Sequence, residues 1–191
     1  MHQRSITCEG HARDDGLWDI EARIVDTKTY AIDEPYRGHR APGSHVHDMH
    51  LRLTLDACMT VTDIALSTEH APCKQCFSVE PAFKRLIGAR IGAGWRRAVQ
   101  AAVGGTQGCT HLEELLMPAA TVAFQTMGSW PWEGVVATEE HPGRGGARPH
   151  FIDLCKAWAA DGPLVLRLYP LHYRPRQAPL PDADSGAGPI K

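Results

Sequence analysis

The sequence predicts an α+β fold in which helices pack on one face of an antiparallel sheet. Between residues 16 and 68, apolar and polar side chains alternate with the two-residue period of half-buried strands. From residue 83 onward, apolar side chains recur at helical spacing instead. Because the strand period comes first and the helix period follows, the pattern is typical of α+β proteins.

Three segments form the predicted sheet. Residues 16–30 alternate, residues 49–55 alternate most regularly, and residues 59–68 form a strand that pairs antiparallel with the preceding one. Side chains on a strand point alternately to opposite faces, so His45 and His47 should share the apolar face of the central strand. Both imidazoles are therefore expected to point toward the core end of the sheet.

The helices are predicted from apolar periodicity and from end signals. Residues 83–103 have apolar side chains at helical spacing and are followed by two glycines. Thr110 and Glu113 form a capping box that opens the next helix, and Pro118 should kink that helix or start a second segment. The apolar run 164–169 is expected to be one more strand or a strap across the domain.

Composition indicates one ordinary globular domain. The chain has 191 residues, of which 43% are hydrophobic and 22% are charged, with a formal net charge of -2. We predict a single α+β domain over residues 1–174. Residues 175–191, rich in Pro, Ala, Asp and Gly, are expected to form a disordered tail.

Charge and hydropathy argue against two classes of partner. A near-neutral net charge provides no long-range field to attract nucleic acid or an anionic membrane. No apolar run approaches the roughly 18 residues of a membrane span, and Met1–Glu9 lacks the apolar region of a signal peptide. We therefore expect a cytoplasmic protein whose six cysteines serve as ligands, nucleophiles or core thiols. A homo-oligomer is compatible with the sequence.

Histidines and cysteines fall in three clusters, which are His45-x-His47, Cys73-x-x-Cys76 and Cys109-Thr110-His111. Such clusters can converge on one Zn or Fe ion, because a closed site takes four N or S ligands in tetrahedral geometry. His45, His47 and Cys73 form a four-ligand set with either Cys109 or Cys76. Cys109 lies at a predicted helix N-terminus, which favours the thiolate, and it is therefore a ligand or a nucleophile. His111 faces either the same site or solvent.

The succession of a regular strand pair, Cys73, helices and then Cys109-Thr110-His111-Leu112 resembles the iron-sulfur scaffold fold of the NifU N-terminal and IscU type. The resemblance covers residues 45–127 and implies a NifU/IscU-like core with an N-terminal strand extension. In this alignment Cys73 and Cys109 match two of the family's cysteines, whereas His45 and His47 stand where the family has Cys and Asp. As an alternative function, the resemblance implies an iron-sulfur cluster scaffold or metallochaperone.

Most of the chain, residues 4–173, is also similar to the bacterial domain-of-unknown-function family 2889. The segments that carry this similarity are Arg13–Glu21, Asp26-Thr27-Lys28, His47-Asp48-Met49 and Gly108–Leu112. This resemblance implies no activity.

The leading functional hypothesis is a metal-dependent enzyme that acts on a small organic substrate. Two imidazoles and two thiolates, from His45, His47, Cys73 and Cys109, leave a bound metal more Lewis acidity than an all-thiolate set. A mononuclear Zn or Fe ion is preferred over an iron-sulfur cluster, because two thiolates are few for a sulfur-bridged cluster. A binding module in which a structural zinc fastens the fold is a further alternative.

A short charged segment supplies candidate catalytic residues. Arg13, Asp14 and Asp15 lie between the N-terminus and the first predicted strand. Their side chains could contact a charged substrate or provide a general base.

Overall fold

An antiparallel sheet forms the N-terminal part of the chain, in a computed structural model that describes residues 1–128, 148–149 and 151–175. The strands are β1 His2–Ala12, β2 Trp18–Lys28, β3 Ile32–Glu34, β4 Gly38–Arg40, β5 His45–Leu55 and β6 Val61–His70. Four of them form the sheet in the spatial order β1-β2-β5-β6, and the short pair β3 and β4 forms a separate sheet.

Helices follow the strands. They are α1 Glu80–Phe83, α2 Trp95–Val103, α3 Thr110–Met127 and α4 Pro163–Leu168. The long helix α3 packs against β1, β2 and β5. The predicted α+β class, an antiparallel sheet with helices, is therefore confirmed.

The core lies between α3, α2 and one face of the sheet. Its sheet side consists of alternate residues of β2 and β5, namely Ile20, Ala22, Ile24, Met49, Leu51, Leu53 and Leu55. The largest helix contributions come from Phe83, Leu86, Trp95, Leu112, Leu115 and Leu116. All of these side chains are at most 5% exposed. Because only one face of the sheet is buried in this core, the apolar residues of β2 and β5 recur at every second position.

Two predicted helical segments, one rich in glycine and one containing a proline, differ from the helices of the structure. The segment predicted as one helix over 83–103 is broken, since Gly88, Gly92 and Gly94 adopt positive φ between α1 and α2. Pro118 lies inside a single continuous helix, so it does not start a second segment. The N-cap of that helix is Cys109, one residue before the predicted Thr110.

Contacts divide the chain into two units, Met1–Ser129 and Trp130–Lys191. In the described part of the second unit, Ile152, Ala160 and Val165 are buried. The apolar run 164–169, predicted as a strand or a strap across the domain, is not a strand and lies mostly in helix α4, which has a proline in its first turn. Of the predicted tail, residues 176–191 lie outside the described residues, and the prediction of one domain over 1–174 stays a prediction.

None of the described helices combines the length and the apolar character that crossing a membrane requires.

The packing of β1 against α3 leads to a stability prediction. A methyl group added at Gly10 would lie 2.0 Å from Oγ1 and 2.8 Å from Cβ of Thr126. Gly10→Ala should therefore lower the free energy of unfolding by about 1–3 kcal/mol, the usual cost of overpacking. Urea denaturation of the purified chain measures this difference.

The matched control is the same substitution in a Thr126→Gly background. Removing the side chain of Thr126 removes the clash, so Gly10→Ala should cost little there. An equal cost in both backgrounds would show that contact with α3 is not the reason for a glycine at this position.

Candidate metal centre

The register of three strands places a cation, a carboxylate and an imidazole side by side. Arg4 of β1 pairs with Asp26 of β2, and Asp26 pairs with His47 of β5. The neighbouring row on the same face is the buried pair Ile24 and Met49, so the polar row continues the core face of the sheet. The three side chains therefore meet at the end of the hydrophobic core.

Asp26 is the centre of this cluster and is 0% exposed. Arg4 donates from Nε to Oδ1 at 2.8 Å and from Nη2 to Oδ2 at 2.8 Å. Nδ1 of His47 lies 2.9 Å from Oδ2, and Nε2 of His2 lies 3.3 Å from Oδ1. An ionised carboxylate only accepts hydrogen bonds, so Nδ1 of His47 carries the proton.

Helix α3 adds a second imidazole from its first turn. The ring of His111 stacks on that of His47 with centroids 3.7 Å apart and an interplanar angle of 29°. Its Nε2 lies 3.8 Å from Oδ2 of Asp26. Within the described part of the chain, one group of three side chains offers ligand atoms that all lie within 4.8 Å of one another, and it is Asp26, His47 and His111.

The protonation states of these groups suit metal binding. Burial alone would raise the pKa of Asp26, but hydrogen bonds from Arg4 and His47 outweigh it and lower the pKa to about 2. Burial lowers the pKa of both His47 and His111. The neighbouring His111 lowers the pKa of His47 further, and Arg4 lowers that of His111. The pair is thus neutral at pH 7, the form in which imidazole binds metal.

A groove of about 630 Å³ adjoins the cluster, and both His47 and His111 line it. Its other walls come from the segment after β6, from α1 and from the turn before α3, with lining residues that include Gln75, Ser78, Arg85, Thr106, Gln107 and Thr110. This volume is within the range of pockets that hold small organic ligands. A metal ion on these side chains would face a space that a substrate can enter.

His45 lies on the opposite face of the sheet, contrary to the expectation that it shares the face of His47. β2 and β5 lose register between Asp26 and Thr27, where one extra residue of β5, Val46, forms a bulge. A bulge inverts the alternation beyond it. Nδ1 of His45 therefore contacts Oδ2 of Asp48 at 3.0 Å, on the outer face.

The cysteines of the sequence hypothesis lie at the groove. Cys109 is 8% exposed, and its Sγ is 3.9 Å from Nδ1 of His111. Cys73 is exposed and Cys76 is half-buried, and both line the same groove. Three of the four predicted ligands, His47, Cys73 and Cys109, thus border one cavity, whereas the structure does not bring His45 to it.

The structure does not bring the predicted catalytic segment to this site either. Arg13 and Asp15 form an ion pair at 2.7 Å in the exposed turn between β1 and β2, where Asp14 is also exposed. Arg13 lies nine positions after Arg4 along an extended strand, a distance of about 30 Å. In an antiparallel hairpin the turn lies at the far end from the row that holds Asp26, and this explains the separation.

Two of the three converging ligands, Asp26 and His111, were not among the predicted ligands. Asp26 continues the buried alternation of Ile20 and Ile24 in β2. A carboxylate at a position where the pattern predicts an apolar core residue could have identified it as a site residue. For His111 the sequence left two orientations open, and the structure selects the one toward His47. Arg4 was missed together with β1, whose alternation includes only a few apolar side chains.

Comparison with known proteins gives one match. A family model described as "Protein of unknown function (DUF2889)" matches residues 2–125. No curated protein and no solved structure matches the chain. The resemblance to the NifU and IscU fold therefore finds no support in these comparisons.

The pKa of Asp26 leads to a prediction on stability and pH. Its folded value of about 2 lies below the ordinary 3.8, so ionisation contributes about 2 kcal/mol above pH 4. That contribution is lost as the pH falls from about 4 to about 2. Asp26→Asn should cost about 3–5 kcal/mol at pH 7, because Arg4 loses its buried partner. The difference from the wild type should shrink over this acid range in urea denaturation.

Asp33→Asn is the matched control, because this carboxylate is 86% exposed in β3 and pairs with His39 at 2.9 Å. We expect a change below about 1 kcal/mol. A difference between Asp26→Asn and the wild type that stays constant from pH 7 to pH 2 would contradict the assigned role of the carboxylate.

Proposed function

Because the chain belongs to the DUF2889 family, whose description names no activity, we propose its function from the geometry of its site. The protein is a metal-dependent enzyme in which Asp26, His47 and His111 bind one Zn or Fe ion. The ion acts on a small organic substrate in the adjoining groove. The observation that carries this proposal is the convergence of three ligand atoms, from β2, β5 and α3, where the two histidines also line that groove.

The donor set supports an enzymatic role for the metal. Two imidazoles and one carboxylate form the three-ligand set of catalytic zinc sites and of the facial triad of non-haem iron enzymes. Both kinds of site leave a coordination position free for water or substrate. Structural zinc sites instead close the coordination sphere with four ligands.

The separations between the ligand atoms are compatible with a small metal ion. Ligand atoms about 2.0–2.1 Å from a tetrahedral metal lie about 3.3 Å from one another. The distances from Oδ2 of Asp26 are 2.9 Å to Nδ1 of His47 and 3.8 Å to Nε2 of His111. These two values bracket the required separation, and the third pair of ligand atoms, on the two stacked rings, lies within 4.8 Å. Because an imidazole lone pair lies in the plane of its ring, binding one ion would require a rotation of one ring as well as small shifts. A metal bound at Nδ1 of His47 would require the proton to move to Nε2, so that the imidazole stays neutral.

Arg4 does not prevent this arrangement. Its Nη1 also donates to Glu114 of α3 at 2.5 Å, so the guanidinium has a second anionic partner beside Asp26. Asp26 and Glu114 together carry two negative charges against the single charge of Arg4. A divalent cation therefore adds to a site whose fixed charges sum to a net negative value.

The same donor set argues against the alternative functions. An iron-sulfur cluster is held mainly by thiolates, whereas the converging atoms here are nitrogen and oxygen. A purely structural zinc would need no groove beside its ligands. On the enzyme proposal, the groove would bind the substrate, and a metal held by Asp26, His47 and His111 would supply Lewis acidity to polarise a carbonyl or activate water.

The test is the metal content of protein purified without added metal or chelator. We expect about one Zn or Fe per chain in the wild type, without acid-labile sulfide. His47→Ala and His111→Ala should each lower the metal content at least about tenfold, because each removes one of three ligands. Circular dichroism confirms that the variants remain folded.

His45→Ala is a closely matched control. Like His47, His45 is a residue of β5 whose Nδ1 contacts a buried aspartate that an arginine holds with two hydrogen bonds. It lies on the other face, so its loss should leave the metal content unchanged. Loss of metal in His45→Ala with full retention in His111→Ala would overturn the assigned ligands, as would wild-type protein without metal.

A further inference from the structure

Cys73 and Cys76 lie in one tight turn at the edge of the groove. The backbone N–H of Cys76 donates to the carbonyl oxygen of Cys73 at 3.2 Å. A turn closed by this hydrogen bond brings the first and fourth Cα atoms within about 7 Å. Disulfides join residues whose Cα atoms are about 4.4–6.8 Å apart. The hydrogen bond of this turn therefore holds the two cysteines close to the separation that a disulfide requires.

The two thiols differ in their surroundings. Cys73 is exposed, whereas Cys76 is half-buried and packs against the core. Burial raises the pKa of Cys76, and the nearby Cys109 and Cys73 raise it further. An exposed thiol is accessible to a reagent in solution, so Cys73 is the thiol that a reagent reaches more readily, and the half-buried Cys76 lies beside it.

We propose that Cys73 and Cys76 form a redox-active dithiol that exchanges with the disulfide bond of a small thiol compound such as glutathione. Neither cysteine belongs to the three-ligand set, so the inference does not rest on the proposed metal site. It assigns a second chemistry to the same groove.

The exchange proceeds in two balanced steps. The Cys73 thiolate attacks one sulfur of the small disulfide, forming a mixed disulfide and releasing one small thiol, which takes up the proton lost from Cys73. The Cys76 thiolate then attacks the Sγ of Cys73 and expels the second small thiol. The two cysteines together lose two electrons and two protons, and the small disulfide gains both.

The experiment treats the full chain, as purified, with oxidised glutathione, followed by acid quenching and alkylation of the remaining thiols. Trypsin cleaves after Lys74, between the two cysteines, and separates residues 53–74 from 75–84. A disulfide between Cys73 and Cys76 keeps these peptides joined until reduction. We expect a loss of two of the six thiols and a joined peptide pair.

Three variants make the result decisive. Cys58→Ser removes the other cysteine of peptide 53–74, an exposed thiol, and should leave the joined pair unchanged. Cys76→Ser should accumulate one glutathione on Cys73, because the second step is blocked. Cys73→Ser should slow the loss of thiols at least about tenfold, because it removes the accessible nucleophile.

Several outcomes would overturn the inference. A disulfide between Cys76 and Cys109 would show that the wrong pair was assigned. Absence of the glutathione adduct in Cys76→Ser would contradict the order of attack. Exchange that begins only after treatment with a chelator would show that the thiols serve as metal ligands. None of these outcomes would decide the metal content of the His47 and His111 variants.

Discussion

Burial of the Asp26 carboxylate is the constraint on which the rest of the site depends. Moving such a charge out of water costs several kcal/mol unless cations and hydrogen-bond donors compensate for it. Arg4 and His47 provide that compensation because the pairing of β1, β2 and β5 places them directly beside the carboxylate. A shift of one residue in either strand pair would turn a partner to the opposite face and leave the charge without compensation. The register of the sheet and the chemistry of the site therefore depend on each other.

Because of the bulge in β5, similar clusters of one aspartate, one arginine and one histidine lie on the two opposite faces of the sheet. On the helix side, Asp26 is held by an arginine and contacted by His47, and on the outer side Asp48 is held by an arginine and contacted by His45. The two clusters differ in whether a helix packs over them. Helix α3 brings a second ring against His47, whereas the outer face has no corresponding helix among the described residues of the first unit. On the outer face His50 also contacts Asp48, at 3.4 Å. Among the described residues, however, only Asp26, His47 and His111 offer three ligand atoms that all lie within 4.8 Å of one another, and this distinguishes the candidate metal site from the ion-pair network.

Histidines and cysteines both line the groove, and the sequence analysis had assigned both to a single metal site. Nitrogen and oxygen donors gather at Asp26, His47 and His111, while the thiols of Cys73 and Cys76 lie at its edge in a separate turn. Carboxylate and imidazole suit a Lewis-acidic metal with an open position, and an exposed thiol beside a half-buried one suits exchange with disulfides. The separation of these groups within one cavity lets each proposal be tested without the other.

The sequence by itself determined the α+β class, the core faces of β2 and β5 and the identity of the histidine and cysteine clusters, because periodicity and local spacing depend only on neighbouring residues. It could not determine which clusters meet. A single extra residue, Val46, reverses the direction of His45, and no local pattern marks that bulge. The partnership of Asp26 with Arg4 and with His111 spans the chain from β1 to α3. Only the packing of strands and helix decided it, because contacts between distant segments follow from register and tertiary packing rather than from the order of residues.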